Sequence, residues 1–235
     1  MSDEPLDLRA LLEQRREAGE YLDLIDEGTP KKKAKRKATP KLPPDWSTVV
    51  WPAKPYRWIS YDQTLTHCGW AIMETGYGTI PWPVDTGTIE VGSGPYKGRG
   101  FYQSMWQGDM LFGAVRAQLM GFSPGYIQAI VTEMPSVTGF RTDSSLMASR
   151  AVRDAACTVG LRHMCTMVQS QHVKALVSGN GNLPKAQLPK YVAMAYEGTD
   201  LLPTRTNEHV RDAIANGLTV AMDGSLVKFI EEGVQ

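Results

Sequence analysis

The stretch that decides the fold is Ile59-Ser60-Tyr61-Asp62-Gln63-Thr64-Leu65-Thr66-His67-Cys68-Gly69-Trp70-Ala71. It contains two apolar runs separated by a short polar segment. This pattern predicts a strand over 56–62, a tight turn, and a second strand over 68–74. Asp62 closes the first strand, so the prediction places a carboxylate at the edge of a sheet.

Apolar periodicity on either side of this hairpin predicts the remaining elements. Strands are expected near 84–91, 127–133 and 164–168. Helices are expected over 144–160, after Pro184 and over 207–222. A further helix is expected to end at Gly121, and one stripe along it is formed by apolar side chains: Trp106, Met110, Ala114, Ala117 and Met120. The order β-β-β-α-β-α-β-α-α predicts an α/β fold, a mixed sheet with helices on both faces.

Length and composition predict a globular protein with one ordinary domain. The chain has 235 residues and 42% hydrophobic content, and it contains no apolar run of about eighteen residues. Because Met1–Pro5 also lacks a secretory pattern, we expect a soluble, cytoplasmic protein with no membrane partner. Three cysteines without CxxC spacing predict buried, reduced thiols at Cys68, Cys157 and Cys165.

The charge is distributed unevenly although the net charge is zero. Residues 1–30 hold nine acidic and three basic side chains, and residues 31–41 hold seven basic ones and no acid. We therefore predict an acidic, partly helical extension over 1–30, a basic, proline-containing linker over 31–45, and a folded domain over 46–235. The 1–45 segment could contact protein or DNA, or remain a solvated tail.

Three carboxylates are expected to converge. Asp62 and Glu133 each end a predicted strand, and Asp212 stands in the first turns of the last helix. His209 precedes Asp212 by three residues, so the two side chains share one helix face. Such a set favours Mg²⁺ or Mn²⁺, which prefer oxygen ligands. The alternative interpretation is that these side chains are ordinary residues of a turn and of a helix start, where acidic side chains are favourable. Glu208 fits that interpretation better.

Four motifs in order resemble the RuvC-type Holliday-junction resolvases. The first is the stretch 59–71, with its aspartate followed by Leu-Thr and Gly-Trp-Ala, and the second is the acidic strand 129–133. The third runs over 171–181, with Gly179-Asn180-Gly181, and continues to Lys185 and Gln187. The fourth is 207–213, in the variant that carries histidine three residues before aspartate. Together they cover about residues 56–223.

The resemblance implies an RNase H-like, five-stranded mixed sheet and a metal-dependent endonuclease that cuts branched DNA, such as a four-way junction. It implies two Mg²⁺ ions per site, held by Asp62, Glu133, His209 and Asp212, which would hydrolyse a phosphodiester. It also implies DNA contacts by Lys174 and Lys185, which flank the Gly179-Asn180-Gly181 turn; the exposed amides of that turn make Asn180 a further candidate for a phosphate contact. A homodimer is expected because a four-way junction presents two related strands.

The chain departs from the family pattern in three places. No aromatic residue directly follows Glu133, so Phe140 is the candidate for stacking on bases and Arg141 for a phosphate contact. Gln63-Thr64 replaces the usual Pro-Gly after the first aspartate. Pro189 would stand inside the helix after Pro184, which suggests that this helix begins late.

Two other functions remain open from the sequence alone. Sugar kinases and actin-like ATPases have a similar phosphate-binding turn after an aspartate, but the roughly 180 residues after the linker leave no room for their second domain. A junction-binding protein that has lost cleavage is the second alternative. The filled acidic positions argue against it.

Overall fold

Five strands form one mixed sheet in the computed structural model, which describes residues 44–76, 78–135, 142–160, 165–203 and 206–232. The strands are β1 (Arg57–Gln63), β2 (His67–Glu74), β3 (Trp82–Glu90), β4 (Ala129–Glu133) and β5 (Cys165–Val168). Their order is β3-β2-β1-β4-β5. The first three strands run antiparallel, whereas β4 runs parallel to both β1 and β5.

Six helices cover the sheet within the described ranges. They are α1 (Phe101–Met120), α2 (Thr142–Thr158), α3 (Ser170–Ser178), α4 (Leu188–Ala195), α5 (Glu208–Met222) and α6 (Ser225–Glu232). One hydrophobic cluster joins α1 and α2 to one sheet face, and a second joins α3, α4, α5 and α6 to the other. The predicted mixed five-stranded α/β sheet with helices on both faces is therefore confirmed.

The central strand β1 contributes buried side chains to both faces of the sheet. Side chains alternate along a strand, so Trp58, Ser60 and Asp62 turn to one face and Ile59 and Tyr61 to the other. All five are buried. A strand buried on both faces has no polar alternation, which explains its nearly continuous apolar pattern.

Most predicted bounds lie within three residues of the observed ones, and α1, for which only the end was predicted, begins at Phe101. Helices α3 and α6, of nine and eight residues, were not predicted. The helix after Pro184 begins only at Leu188, so Pro189 stands in its first turn, where the missing N–H removes no helical hydrogen bond. Pro184 instead precedes a single 3₁₀ turn at Lys185–Gln187.

Two burial predictions are wrong. The buried residues of α1 are Gln107, Leu111, Val115 and Leu119, whereas Met110 and Met120 are exposed. The predicted apolar stripe and the buried face thus lie at different angles around the helix axis. Apolar character alone does not decide whether a methionine is buried. Cys157 is exposed on α2, although its neighbours Ala155 and Ala156 are buried; Cys68 is buried and Cys165 is partly so, and all three thiols are free.

Among the described residues, no single helix has the length and apolar character needed to cross a bilayer, although α5 and residues 225–231, bent by 72°, reach that length and composition together. Residues 1–43 lie outside the described part. The boundaries 1–30 and 31–45, and any contact through this extension, therefore stay predictions.

Candidate active site

The carboxyl-terminal ends of β1 and β4 lie side by side and carry the first two acidic residues. The strands are paired in parallel, with Tyr61 opposite Thr132, so the next residues, Asp62 and Glu133, emerge at the same edge. Gln63 fixes this edge, because its Nε2 donates to the Glu133 carbonyl at 2.5 Å and its Oε1 accepts the Glu133 N–H at 3.2 Å. The residue that replaces the family's proline therefore joins the two acidic strands.

Helix α5 brings the other two predicted residues to this edge. The Ser60 hydroxyl donates to the Ala213 carbonyl at 2.7 Å, and Asn216 Nδ2 donates to the Tyr61 carbonyl at 3.0 Å. Both bonds are buried and join the helix directly to β1. Asn207 caps the helix by accepting the Val210 N–H at 2.9 Å, so the first turn is held in shape.

A glycine on β2 permits the close approach of α5. Gly69 pairs with Asp62 across the strands, and a Cβ built on it would lie 2.2 Å from the His209 carbonyl carbon. No side chain can occupy that space. The glycine of the Gly-Trp-Ala motif therefore lets the backbone of His209 lie directly on the sheet, beside Asp62.

Polar contacts join the converging side chains. His209 Nδ1 lies 2.8 Å from Asp62 Oδ2. The ammonium of Lys185 lies 3.6 Å from Asp62 Oδ2 and 3.0 Å from Asp212 Oδ2, so it bridges the two aspartates. Asp62 and Asp212 are only 1% and 4% exposed. The structure thus gathers a buried acidic cluster around one lysine.

The electrostatics of this cluster favour a bound cation. Burial, and then the charge of Asp62 and a hydrogen bond with it, raise the pKa of Glu133 to about 7. Burial and the charge of Asp62 likewise raise the pKa of Asp212 to about 6. One lysine therefore does not fully compensate the negative charge of three neighbouring carboxylates.

Asp62 has the opposite shift. Burial alone would raise its pKa, but the hydrogen bond from His209 and the charge of Lys185 outweigh that effect and hold the pKa below its ordinary value. The same hydrogen bond raises the pKa of His209, against a smaller opposing effect of burial. Asp62 is thus the carboxylate that stays ionised most readily, as a central metal ligand must.

The donor set fits a divalent metal ion. Within the described part of the chain, Asp212 Oδ1 is buried without a hydrogen-bond partner, and Oδ2 faces the Lys185 ammonium at 3.0 Å. Beside them is a cavity of about 20 Å³, lined by Glu133, Lys185 and Asp212 among others, which is room for one water-sized group. As they stand, no three or more described His, Cys, Asp or Glu side chains are arranged so that they could hold a metal ion. The ammonium of Lys185 lies between the carboxylates of Asp62 and Asp212 instead.

The other predicted contacts are placed less centrally. Lys174 lines the same small cavity. Asn180 lies in the exposed turn after α3 and accepts the Asn182 N–H at 3.0 Å, so it is not brought into the cluster. Glu208 is exposed at the start of α5. Phe140 and Arg141 lie outside the described residues, and their DNA contacts stay predictions.

Three residues of this edge were not predicted from the sequence. Gln63 differs from the family's proline, and nothing in its neighbourhood indicates the two bonds to Glu133. Asn216, a buried amide in an apolar helix, could have been recognised as a residue that needs a polar partner. His67, whose ring stacks on His209 with 5.6 Å between centroids, carries no signal beyond its position in the turn.

The strand order and the acidic edge define an RNase H-like α/β fold. No protein-family model matches the chain, and no curated protein matches its sequence. Solved structures do match. Thermus thermophilus RuvC in complex with a Holliday junction substrate has a TM-score of 0.57 and 16% identity, over 76% of this chain and 99% of that one.

A second Thermus thermophilus RuvC structure has a TM-score of 0.54 and 18% identity, over 73% of this chain and 96% of that one. At these identities the similarity concerns the fold, so the chain has a RuvC-like fold. The resemblance carried by the four sequence motifs is confirmed to that extent.

Proposed function

We propose that this protein is a metal-dependent, structure-selective DNA endonuclease that cuts Holliday junctions or other branched DNA. The observation that carries the proposal is the meeting of Asp62, Glu133 and Asp212, with His209, at one edge of a RuvC-like sheet. Asp62 and Asp212 are buried and Glu133 is partly buried beside them, and the fold itself does not require three carboxylates from three different elements to meet. Burying them costs free energy unless a cation binds them.

Asp62, Glu133 and Asp212 would hold two Mg²⁺ ions, or Mn²⁺, with His209 as a further ligand or proton carrier. Such ions supply a nucleophilic water and neutralise the charge of the phosphate. His209 Nδ1 is engaged by Asp62, so its other ring nitrogen is the one that can exchange a proton at this edge. Lys185, whose side chain is 47% exposed, can reach both the cluster and a phosphate outside it.

The DNA path is proposed to run along the same edge. Lys174 and Lys185 stand beside the acidic cluster, and Asn180, Phe140 and Arg141 are candidates for further contacts. Phosphate contacts of this kind position the strand and carry no sequence information. A homodimer would present two such edges to a four-way junction, as the two paired cuts require.

The proposal is tested by substituting Asp62 with asparagine, which keeps the shape and removes the charge. Nicking of a synthetic four-way junction in Mg²⁺ should fall by about 10³-fold, because a preorganised charge at the reacting group is lost. Binding of the junction in Ca²⁺ should change little. Three-way, flap and linear duplex DNA, assayed in parallel, separate a junction nuclease from a general one.

The matched control is Asp85→Asn, an exposed aspartate on β3. It should nick like the wild type. If Asp62→Asn retains full cleavage, the metal assignment is wrong. If the wild type binds the junction and never cuts it in Mg²⁺ or Mn²⁺, the protein is instead an inactive junction-binding protein.

A further inference from the structure

An exposed aromatic and basic surface lies at the same end of the sheet as the acidic cluster, in a segment to which the proposed function assigns nothing. It comprises Tyr96, Lys97, Arg99, Phe101 and Tyr102, from the β3–α1 connection and the first turn of α1. Phe101 and Tyr102 are 61% and 63% exposed, and Tyr96 is 37% exposed. Three large aromatic side chains this close together in solvent need an explanation.

The rings form a connected group. The Tyr96 and Tyr102 rings stack with 6.3 Å between centroids and 30° between their planes, and Phe101 meets Tyr102 edge-on at 6.1 Å. They therefore present adjoining ring surfaces to solvent. Base–aromatic stacking uses such faces and accepts any base, because every base has one.

The charge of the segment fits a nucleic acid strand. Between Glu90 and Asp109 there is no acidic residue, and Lys97 and Arg99 are the only basic ones. Both are exposed. Aromatic side chains interleaved with basic ones can bind bases and phosphates of the same strand.

The segment is held in a defined shape. The Gly98 N–H donates to Gln103 Oε1 at 2.8 Å, and Gln107 Nε2 donates to the Gly92 carbonyl at 3.2 Å. Gly94, at φ 55°, lies directly against the ring of Trp106, where a Cβ would come within 2.7 Å. An ordered surface loses less entropy on binding than a mobile loop would.

The location connects this surface to the acidic edge. β3 ends at Glu90, which pairs with His67, and the Val91 N–H donates to the Thr66 carbonyl in the β1–β2 turn at 2.9 Å. The segment therefore starts at the same end of the sheet as Asp62. β3 is two strands away from β1, which corresponds to about 10 Å.

We propose that Tyr96, Phe101 and Tyr102 stack on unpaired bases of a DNA strand while Lys97 and Arg99 contact its phosphates, at the end of the sheet that carries the acidic cluster. This inference rests on the proposed function for the identity of the ligand as DNA. Paired DNA keeps its bases stacked inside the duplex and offers these rings nothing. The surface therefore selects single-stranded or unpaired segments, such as those at a branch point.

The experiment compares binding of the full-length protein, in Ca²⁺, to single-stranded DNA, to a four-way junction with 2-aminopurine at the crossover, and to linear duplex. Phe101→Ala/Tyr102→Ala should weaken single-strand binding about ten- to a hundredfold and abolish the 2-aminopurine signal change. Duplex affinity should stay within about twofold. Phe101→Trp/Tyr102→Trp should bind like the wild type, because indole rings also stack.

Lys97→Ala/Arg99→Ala addresses the phosphate contacts. It should flatten the dependence of log K on log salt by about 1.4 for single strands, or about 0.7 for each phosphate that the variant no longer neutralises. Met120→Ala, an exposed apolar residue at the other end of α1, and Lys228→Ala, an exposed lysine on α6, are the matched controls. Neither should alter binding. An unchanged salt slope in Lys97→Ala/Arg99→Ala overturns the phosphate contacts.

Several results overturn the stacking role. The first is an unchanged single-strand affinity in Phe101→Ala/Tyr102→Ala, and the second is a loss of duplex affinity in this variant equal to its loss of single-strand affinity. The third is a wild type that binds no single-stranded DNA. The fourth is light scattering that shows this variant dissociating from a dimer, with DNA affinity recovered at higher protein concentration. Cleavage of the junction by the same protein preparations is measured in a separate assay. A wild type that binds unpaired DNA through these rings but cuts no junction contradicts the nuclease proposal and leaves this inference standing.

Discussion

Helix α5 touches one face of the sheet at backbone distance, at Gly69, whereas α1 and α2 are separated from the other face by large side chains such as Tyr61 and Leu111. The first face also carries the buried charges, and the second is apolar apart from groups that stay neutral. Close approach and buried charge occur together because the acidic residues come from both the sheet and α5. The α5 face therefore holds the charged groups of the candidate site, whereas the α1–α2 face contributes apolar packing.

Among the substitutions that compare the two faces, the largest effect is expected for Gly69→Ala. The added methyl group would overlap the backbone of His209, so the first turn of α5 must shift. A displacement of about 1 Å at a reacting group can cost 10²-fold in rate, so nicking of the junction should fall by about that factor or more. Overpacking should also lower the free energy of unfolding by about 1–3 kcal/mol.

Leu111→Ala, on the opposite face, is the matched comparison. It should cost about 2–5 kcal/mol of stability, because it leaves a cavity in a fully buried core. The nicking rate per folded molecule should remain that of the wild type. If both variants lose activity in proportion to their loss of stability, the distinction between the two faces is wrong.

The sequence predicted the sheet well because buried strands have a strong local signal. The runs that end in Asp62 and Glu133 also placed two of the acidic residues correctly at strand ends. Helices α3 and α6 were missed because nine and eight residues give too few turns for a periodic pattern, whereas the equally short α4 was expected from Pro184. The rotation of α1 was wrong because burial of a methionine depends on packing partners that are distant in the chain.

The candidate site was predictable only in its acidic residues. Lys185 was expected along the DNA path, and nothing local indicated that its ammonium would bridge Asp62 and Asp212. That contact joins the 3₁₀ turn at Lys185–Gln187 to Asp62 on β1 and Asp212 on α5, which are distant in the chain. Gln63 and Asn216 act through backbone carbonyls, which have no sequence identity to recognise.

The second prediction concerns the pH dependence of stability without metal. Glu133 has a pKa of about 7 when folded and an ordinary value near 4.5 when unfolded, so between these pH values the folded state binds more protons. Stability must therefore fall as pH rises from about 4.5 to 7, by up to about 3 kcal/mol. Urea unfolding in EDTA at pH 5 and pH 8 should show this loss, and Glu133→Gln should remove most of it.

Glu90→Gln, an exposed glutamate at the end of β3, is the control and should behave like the wild type. The apolar face contributes little to the pH dependence of stability in this range. Burial raises the pKa of Cys165 to about 11 and holds the pKa values of Tyr61 and Cys68 well above their ordinary values, so all three remain neutral. Parallel pH profiles for Glu133→Gln and the wild type would contradict the buried position of this carboxylate.

The smallest effect is expected for the affinity of the α5 face for Mg²⁺ itself. Lys185 places a positive charge between Asp62 and Asp212, where it competes with a divalent ion for the same oxygens. Lys185→Met should therefore strengthen Mg²⁺ binding by about tenfold, or about 1.4 kcal/mol, measured by calorimetry without DNA. Lys190→Met, an exposed lysine on α4, should leave the affinity unchanged. Weaker Mg²⁺ binding in Lys185→Met would mean that the lysine holds the carboxylates in place, since removing a mere competitor cannot reduce the affinity.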